Sequence, residues 1–272
     1  MDALFGPDDA AAWIAVPGED DDKYSRGVVG FVTGSAKYPG AAVLGVEAAA
    51  RTGVGMIRYL GAGRPTRMVL QRRPEAVTAE GRVQAWVLGS GQEAERLDDA
   101  TKQLLDTALG QDVPTVLDGG ALGRRADARG PVLLTPHARE LGRLVGVDPS
   151  EIRADPAGAA RRAAAELQAT VLLKGHTTHV ASPDGGLLRV RSAPSWLATA
   201  GAGDALAGII GALLATHADL LAAEPEAMAP MAAAAAVLHG LAAERASAGG
   251  PLTILDLAEA LPQTIAELLA AR

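Results

Sequence analysis

The feature that most limits how this chain can fold is an alternation. Apolar runs of four to seven residues, rich in β-branched side chains, recur with helix-patterned segments between them. The strand-like runs are GVVGFVT (27–33), MIRYLG (56–61), VQAWVLGSG (83–91), VPTVLDGG (113–120), PVLLTPH (131–137) and TVLLKG (170–175). Helical spacing falls on AAVLGVEAAARTG, with Gly53 as its C-cap, on Glu93–Leu109, on a segment from about Ala138, on Pro156–Leu167, and on the alanine-rich stretch from Gly203 to the end. Strands apolar on both faces, each followed by a helix, predict an α/β fold whose mainly parallel sheet is covered on both sides. Only THVASPDGGLLRV departs from the rhythm; it reads as a hairpin turning at Pro183–Gly186.

With 272 residues, 49% of them hydrophobic, the chain can bury a sizeable core. No Pro/Gly/Ser-rich linker and no internal repeat divides it. The expected organisation is one domain over 27–272 behind a polar lead-in, 1–26, whose acidic run Glu19–Asp22 is solvated. The net charge is −7 and the Lys and Arg residues are scattered, which argues against a nucleic-acid-binding face. An acidic chain of this kind must bind nucleotides through a local site. Without cysteine there is no disulfide and no thiolate metal centre, and no His–carboxylate spacing suits zinc. No apolar run reads as long and uncharged enough to cross a membrane. The start, MDALFGPDDAAAW, lacks the basic and apolar regions of a signal peptide. The expectation is a soluble, cytoplasmic protein.

In open α/β sheets, ligands bind beyond the carboxyl ends of the strands. Those ends here are TGSAKYPGA, LGSGQ, LDGG, TPHARE and LKGHTTH. To them is added AGAGD at the head of the helix GDALAGIIGALLA. Gly201 and Gly203, with Ala202 between them, can turn successive N–H groups toward one point. The helix adds its positive end, a natural seat for phosphate. Asp204 is either a first-turn carboxylate or a base that accepts a proton from an attacking hydroxyl. Lys174, followed by Gly175, His176, Thr177 and Thr178, is either a second phosphate contact or a lysine snorkelling from a strand end; it is not a Walker A loop. His137 is either a structural hydrogen-bonder or a site residue, and Arg139 and Glu140 read as helix-surface residues, Glu140 alternatively as a support for the helix N-terminus. The loop with Gly34, Ser35, Gly40 and Ala41 is a plain connection or a platform for a flat ligand. Asp118 is a turn residue or a site carboxylate.

Taken in order, GSAKYPGA, RPEAV, LGSG, VLDGGAL, LTPHARELGRLVG, LLKGHTTHVASPDG and AGAGDALAG resemble the ADP-dependent NAD(P)H-hydrate dehydratases of the ribokinase-like superfamily. The match covers about residues 20–270. The resemblance implies a three-layer α/β/α fold and repair of a damaged cofactor. The (S)-hydrate of NADH or NADPH is phosphorylated on its ring hydroxyl by ADP and then loses phosphate, giving NAD(P)H, AMP and phosphate. It implies that Ala41, Gly91, His137 and Asp204 contact the hydrate, with Asp204 as base. Lys174 to Thr178 and Gly201 to Gly203 would hold the nucleotide. It also implies magnesium, no metal held by side chains alone, a homo-oligomer such as a tetramer, and a separate epimerase, since the 26-residue lead-in is too short to hold one. The chain departs from the family pattern at Ala202, where threonine or serine is usual, at GGAL after Asp118, and at LGSGQ, where proline is often present. Two other readings fit AGAGD: an ATP-dependent kinase of a thiazole alcohol or hydroxymethylpyrimidine, and a nucleotide sensor without turnover.

Overall fold

A computed structural model describes residues 2–61, 63–191 and 193–272. Nine strands form one sheet: β1 (Asp2–Leu4), β2 (Val28–Val32), β3 (Met56–Tyr59), β4 (Ala85–Leu88), β5 (Thr115–Leu117), β6 (Val132–Leu134), β7 (Thr170–Leu173), β8 (Thr178–Ala181) and β9 (Leu187–Val190). The helices are α1 (Pro7–Ala11), α2 (Pro39–Thr52), α3 (Arg64–Arg72), α4 (Asp99–Leu109), α5 (Ala138–Val145), α6 (Pro149–Ala154), α7 (Pro156–Leu167), α8 (Ala202–Thr216), α9 (Ala218–Ala223), α10 (Met228–Ser247) and α11 (Ile254–Ala270). The strand order is β1-β9-β8-β7-β6-β5-β4-β2-β3. Neighbours are parallel except β7–β8 and β8–β9, so β8 alone runs against the rest. Short connections permit antiparallel pairing, whereas the parallel neighbours need helical crossovers. The hairpin expected at Pro183–Gly186 joins β8 to β9, with Gly185 at φ +92°.

Alternate strand residues divide between two helical layers. Val29, Phe31, Val87, Val116, Leu133 and Leu172 pack against α2, α8, α10 and α11. Val28, Trp86, Leu88, Leu117, Leu134 and Val171 pack against α4 to α7. Each such fully buried apolar side chain contributes roughly 1.5–3 kcal/mol over an exposed one. This is the three-layer arrangement that the resemblance implies. At its centre α2 and α8 cross so closely that a Cβ on Gly208 would strike the Gly45 carbonyl. That crossing fixes the first turn of α8 against α2.

Three expectations need correction. Residues 2–14 are not a solvated lead-in: β1 pairs with β9, and Phe5, Ala10, Ala11 and Ile14 join the core. The DALF run and the AAAW face carry a short strand and helix that the acidic composition of 1–26 obscures; Glu19–Asp22 is exposed as expected. The helix expected over Glu93–Leu109 is broken, with a 3-10 turn at Ala94–Arg96 and α4 starting only after Asp98, whose carboxylate caps the Thr101 N–H at 2.7 Å. Finally, Pro225–Ser247 is long and apolar enough to cross a membrane by length and composition, but 83% of its apolar 18-residue window is buried inside the fold. It is apolar all round because it is a core helix.

Candidate active site at the carboxyl ends of the strands

Asp118 follows β5 directly and is buried. Its Oδ2 accepts from Ser90 Oγ at 2.9 Å, and its Oδ1 from Thr135 Oγ1 at 2.8 Å and Lys174 Nζ at 2.8 Å. Those donors stand just past the ends of β4, β6 and β7. Burial raises the Asp118 carboxyl, but the Lys174 ammonium and the three hydrogen bonds outweigh it and leave the group below the usual carboxylate range. Lys174 is pulled down by burial and pushed up further by Asp118 and by Glu140, whose Oε2 lies 3.8 Å from Nζ. The pair is therefore charged on both sides.

Lys174 also reaches the head of α8: a Cβ on Gly203 would stand 3.3 Å from Nζ. Gly201 caps α8 at φ +94° with no side-chain hydrogen bond, and a Cβ there would collide with Leu44. Only glycine meets both demands. A cap without a side chain leaves the first-turn N–H groups to a ligand, beside the helix's positive end. Asp204 lies in that first turn, partly buried, and among the described residues no donor bonds its carboxylate. Burial raises its pKa to about 7, the Asp118 charge adding to the rise and Lys174 opposing it. A carboxyl titrating near neutrality, beside an anion seat, suits a general base.

A cavity of about 730 Å³ opens beside this helix head. Its walls include His137, Lys174, Gly175, His176, Thr178, Ala202 and Gly203. Thr177 lines an adjoining cavity of about 390 Å³, with His179 and Arg189, that shares Lys174, Gly175 and His176 with the first. Ala41 and Gly91 meet each other: a Cβ on Gly91, at φ +67°, would run into that of Ala41. Ala41 sits one turn ahead of Gly45, where a Cβ would stand 3.3 Å from the Asp204 carbonyl. The pair thus lies by the first turn of α8, past the carboxyl ends of β2 and β4, which are paired neighbours in the sheet. A cavity of about 400 Å³ opens on that side, lined by Thr33, Gly34, Lys37 and Gln92.

His137 has a structural task as well. Its Nδ1 accepts from the Arg139 and Glu140 N–H groups at 3.1 Å, and Glu140 returns a carboxylate to the His137 N–H at 2.9 Å. That capping box starts α5, and the ring's Nε2 lies 3.4 Å from Glu140 Oε1. Of the two readings of Glu140, the structure shows the one in which it supports the helix N-terminus. Among the described residues no group of three or more His, Cys, Asp and Glu side chains could hold a metal ion.

A family model for NAD(P)H-hydrate dehydratase matches residues 29–265. The chain belongs to the NAD(P)H-hydrate dehydratase family. It is 44% identical over 224 residues to a bifunctional NAD(P)H-hydrate repair enzyme of Mycobacterium tuberculosis, a stretch covering 78% of this chain and 46% of that protein. It is 38% identical over 244 residues to an ADP-dependent (S)-NAD(P)H-hydrate dehydratase of Neisseria meningitidis, covering 83% and 79%. The fold matches the crystal structure of a Bacillus subtilis ADP/ATP-dependent NAD(P)H-hydrate dehydratase, co-crystallised with ATP and Mg2+, at a TM-score of 0.86 and 28% identity over 98% of each chain. The chain spans about half the length of the bifunctional relatives that it matches.

The sequence reading missed Ser90 and Thr135, which bond Asp118, and His239, which lines the 730 Å³ cavity. Ser90 and Thr135 carried a signal, since each stands within two residues of the end of an apolar strand. His239 did not: a lone histidine in an alanine-rich helix reads as core.

Proposed function

We propose that this protein repairs hydrated nicotinamide cofactors by ADP-dependent dehydration of (S)-NAD(P)H hydrate. The observation that carries this reading is Asp204, held near neutrality at the open, positive end of α8 with Lys174 alongside. Asp204 takes the proton from the ring hydroxyl as that oxygen attacks the terminal phosphorus of ADP, and AMP leaves with the bridging electron pair. Phosphate then departs from the new ester with the C–O electron pair, and the neighbouring ring carbon gives up a proton to solvent water as the double bond returns. First-turn N–H groups around Gly203 and the Lys174 ammonium stabilise the charge on the transferring phosphoryl. The ring of the hydrate is placed near Ala41 and Gly91, with His137 at the rim.

Magnesium would offset charge between the nucleotide phosphates. With no cluster of three ligating side chains among the described residues, the phosphates themselves would supply most of its oxygens. A hydrate epimerase is the expected partner in the pathway, the protein is expected to act in the cytoplasm, and a tetramer is the expected assembly.

The test follows the return of NADH absorbance when purified protein meets NADH hydrate, magnesium and either ADP or ATP. Recovery in the wild type, with a loss of a hundredfold or more in Asp204→Asn, is the expected result. A stable phosphorylated alcohol without NADH would instead mark a kinase. ADP binding with no product would mark a sensor.

A further inference from the structure

α10 packs alanines into the core, and His239 is out of keeping with them. It is 6% exposed and lines the 730 Å³ cavity with Leu206 and Ala236. One ring nitrogen hydrogen-bonds the Ala202 backbone. Among the described residues Nε2 has no partner, so the bonded nitrogen is Nδ1. The Ala202 N–H is already directed to the Thr199 carbonyl at 3.4 Å, which leaves the Ala202 carbonyl for the ring. Nδ1 therefore carries the proton and Nε2 the lone pair. Burial pushes the ring to about 4, the Ala202 backbone pulling it up and Lys174 pushing it down, so the imidazole is neutral at physiological pH.

The cavity lining combines two characters: Lys174 beside Gly203 is cationic, and Val190, Pro194, Leu197, Leu206 and Ala236 are apolar. A nucleoside phosphate has the same polarity, with anionic phosphates at one end and a flat base at the other. His239 lines this cavity together with Ala202, whose backbone it bonds. We propose that His239 is a specificity-determining residue of the nucleotide pocket, accepting through Nε2 a hydrogen bond from an N–H or O–H donor of the bound nucleoside. The proposal rests on the reading of this cavity as the ADP site and does not depend on the dehydration step. Two donors carry the required chemistry, a base amino group and a ribose hydroxyl.

Calorimetric titration of the wild type and His239→Leu separates them. The probes are ADP, inosine diphosphate (an oxo group in place of the amino), 2′-deoxy-ADP, 3′-deoxy-ADP and inorganic pyrophosphate. The wild type should bind one analogue about tenfold more weakly than ADP, the factor carried by a hydrogen bond of about 1.4 kcal/mol, and that analogue names the donor. His239→Leu should bind ADP about tenfold more weakly, with that analogue and pyrophosphate unchanged. Equal binding of ADP and all three analogues by the wild type would overturn the proposal, and this comparison needs no variant to fold. A uniform loss across every ligand, pyrophosphate included, would also overturn it, because the ring would then act only through the Ala202 loop. No binding of ADP at millimolar concentration would remove the ADP-site reading and this proposal together. The expected pattern without any NADH recovery would remove the dehydratase reading alone.

Discussion

Replacing Asp118 by asparagine tests whether Asp204 is the base and whether its neighbours set its pKa. In the folded chain the Asp204 carboxyl stands at about 7 against an ordinary 3.8. By the usual conversion that is about 4 kcal/mol against the charged form. Burial is the larger cause and the Asp118 charge the next, with Lys174 opposing both. Asp118→Asn removes the negative charge and leaves the Lys174 ammonium without its 2.8 Å partner. Both changes favour ionised Asp204, so its pKa must fall. A unit charge acting across roughly 8 Å at an effective dielectric near 20 contributes about 2 kcal/mol, or about 1.5 pH units. The acidic limb of kcat/KM should therefore move from near pH 7 to roughly pH 5.5. At pH 6 the wild type would run at about a tenth of its maximum and the variant at about three quarters of its own lower maximum. The assay is NADH recovery from pH 5 to 9 under saturating ADP, with thermal melts confirming that the variant folds. ADP itself titrates in this range, but identically in both proteins, so the difference between profiles isolates the enzyme. An unmoved limb, or one moved upward, would refute the electrostatic argument. Complete loss in a folded variant would transfer the role of base to Asp118.

Three further outcomes follow from the same geometry. Ala202→Ser places a hydroxyl at the open head of α8, and one added hydrogen bond to phosphate, about 1 kcal/mol, should tighten ADP about fivefold by calorimetry. Gly208→Ala drives a methyl into the Gly45 carbonyl and should destabilise the fold by about 1–3 kcal/mol in denaturant titration despite alanine's better helix propensity. Glu47 is fully buried among Arg51, Arg72 and Arg73. Burial raises its carboxyl, but the arginines outweigh this and hold it at about 2 against an ordinary 4.5. A depressed pKa stabilises above the unfolded value, so its contribution should be lost as pH falls from about 4.5 toward 2. Glu47→Gln should cost ~2 kcal/mol at pH 7, discounted for the partly exposed arginines, and flatten that acid limb.

The fold was largely legible because its signals are local. Each parallel strand announces itself as an uninterrupted apolar run, and Gly53 and the Asp184–Gly185 turn mark ends without help from distant residues. The first 14 residues were not legible, since three-residue β1 gains its meaning only from β9, 185 residues on in register from Asp2 to Leu187. The break before α4 turned on one cap, Asp98, lying inside an otherwise helical pattern.

The site divides along the same line. AGAGD could be read because the glycines, the helix head and the carboxylate are adjacent in the chain. The role of Asp118 could not, because its three donors lie 28, 17 and 56 residues away. Parallel topology gathers those donors, since every strand of the β4–β7 set delivers its carboxyl end to the same edge. The two carboxylates then acquire opposite properties from one lysine. Asp118 takes its hydrogen bond and stays ionised, while Asp204 receives only part of its field and is left near neutrality. A neutral or displaced Lys174 would send both pKa values upward together. The expected pH profile of Lys174→Met, with its acidic limb above that of the wild type, is therefore the reciprocal of the Asp118→Asn result, and only the two shifts in opposite directions are consistent with this arrangement.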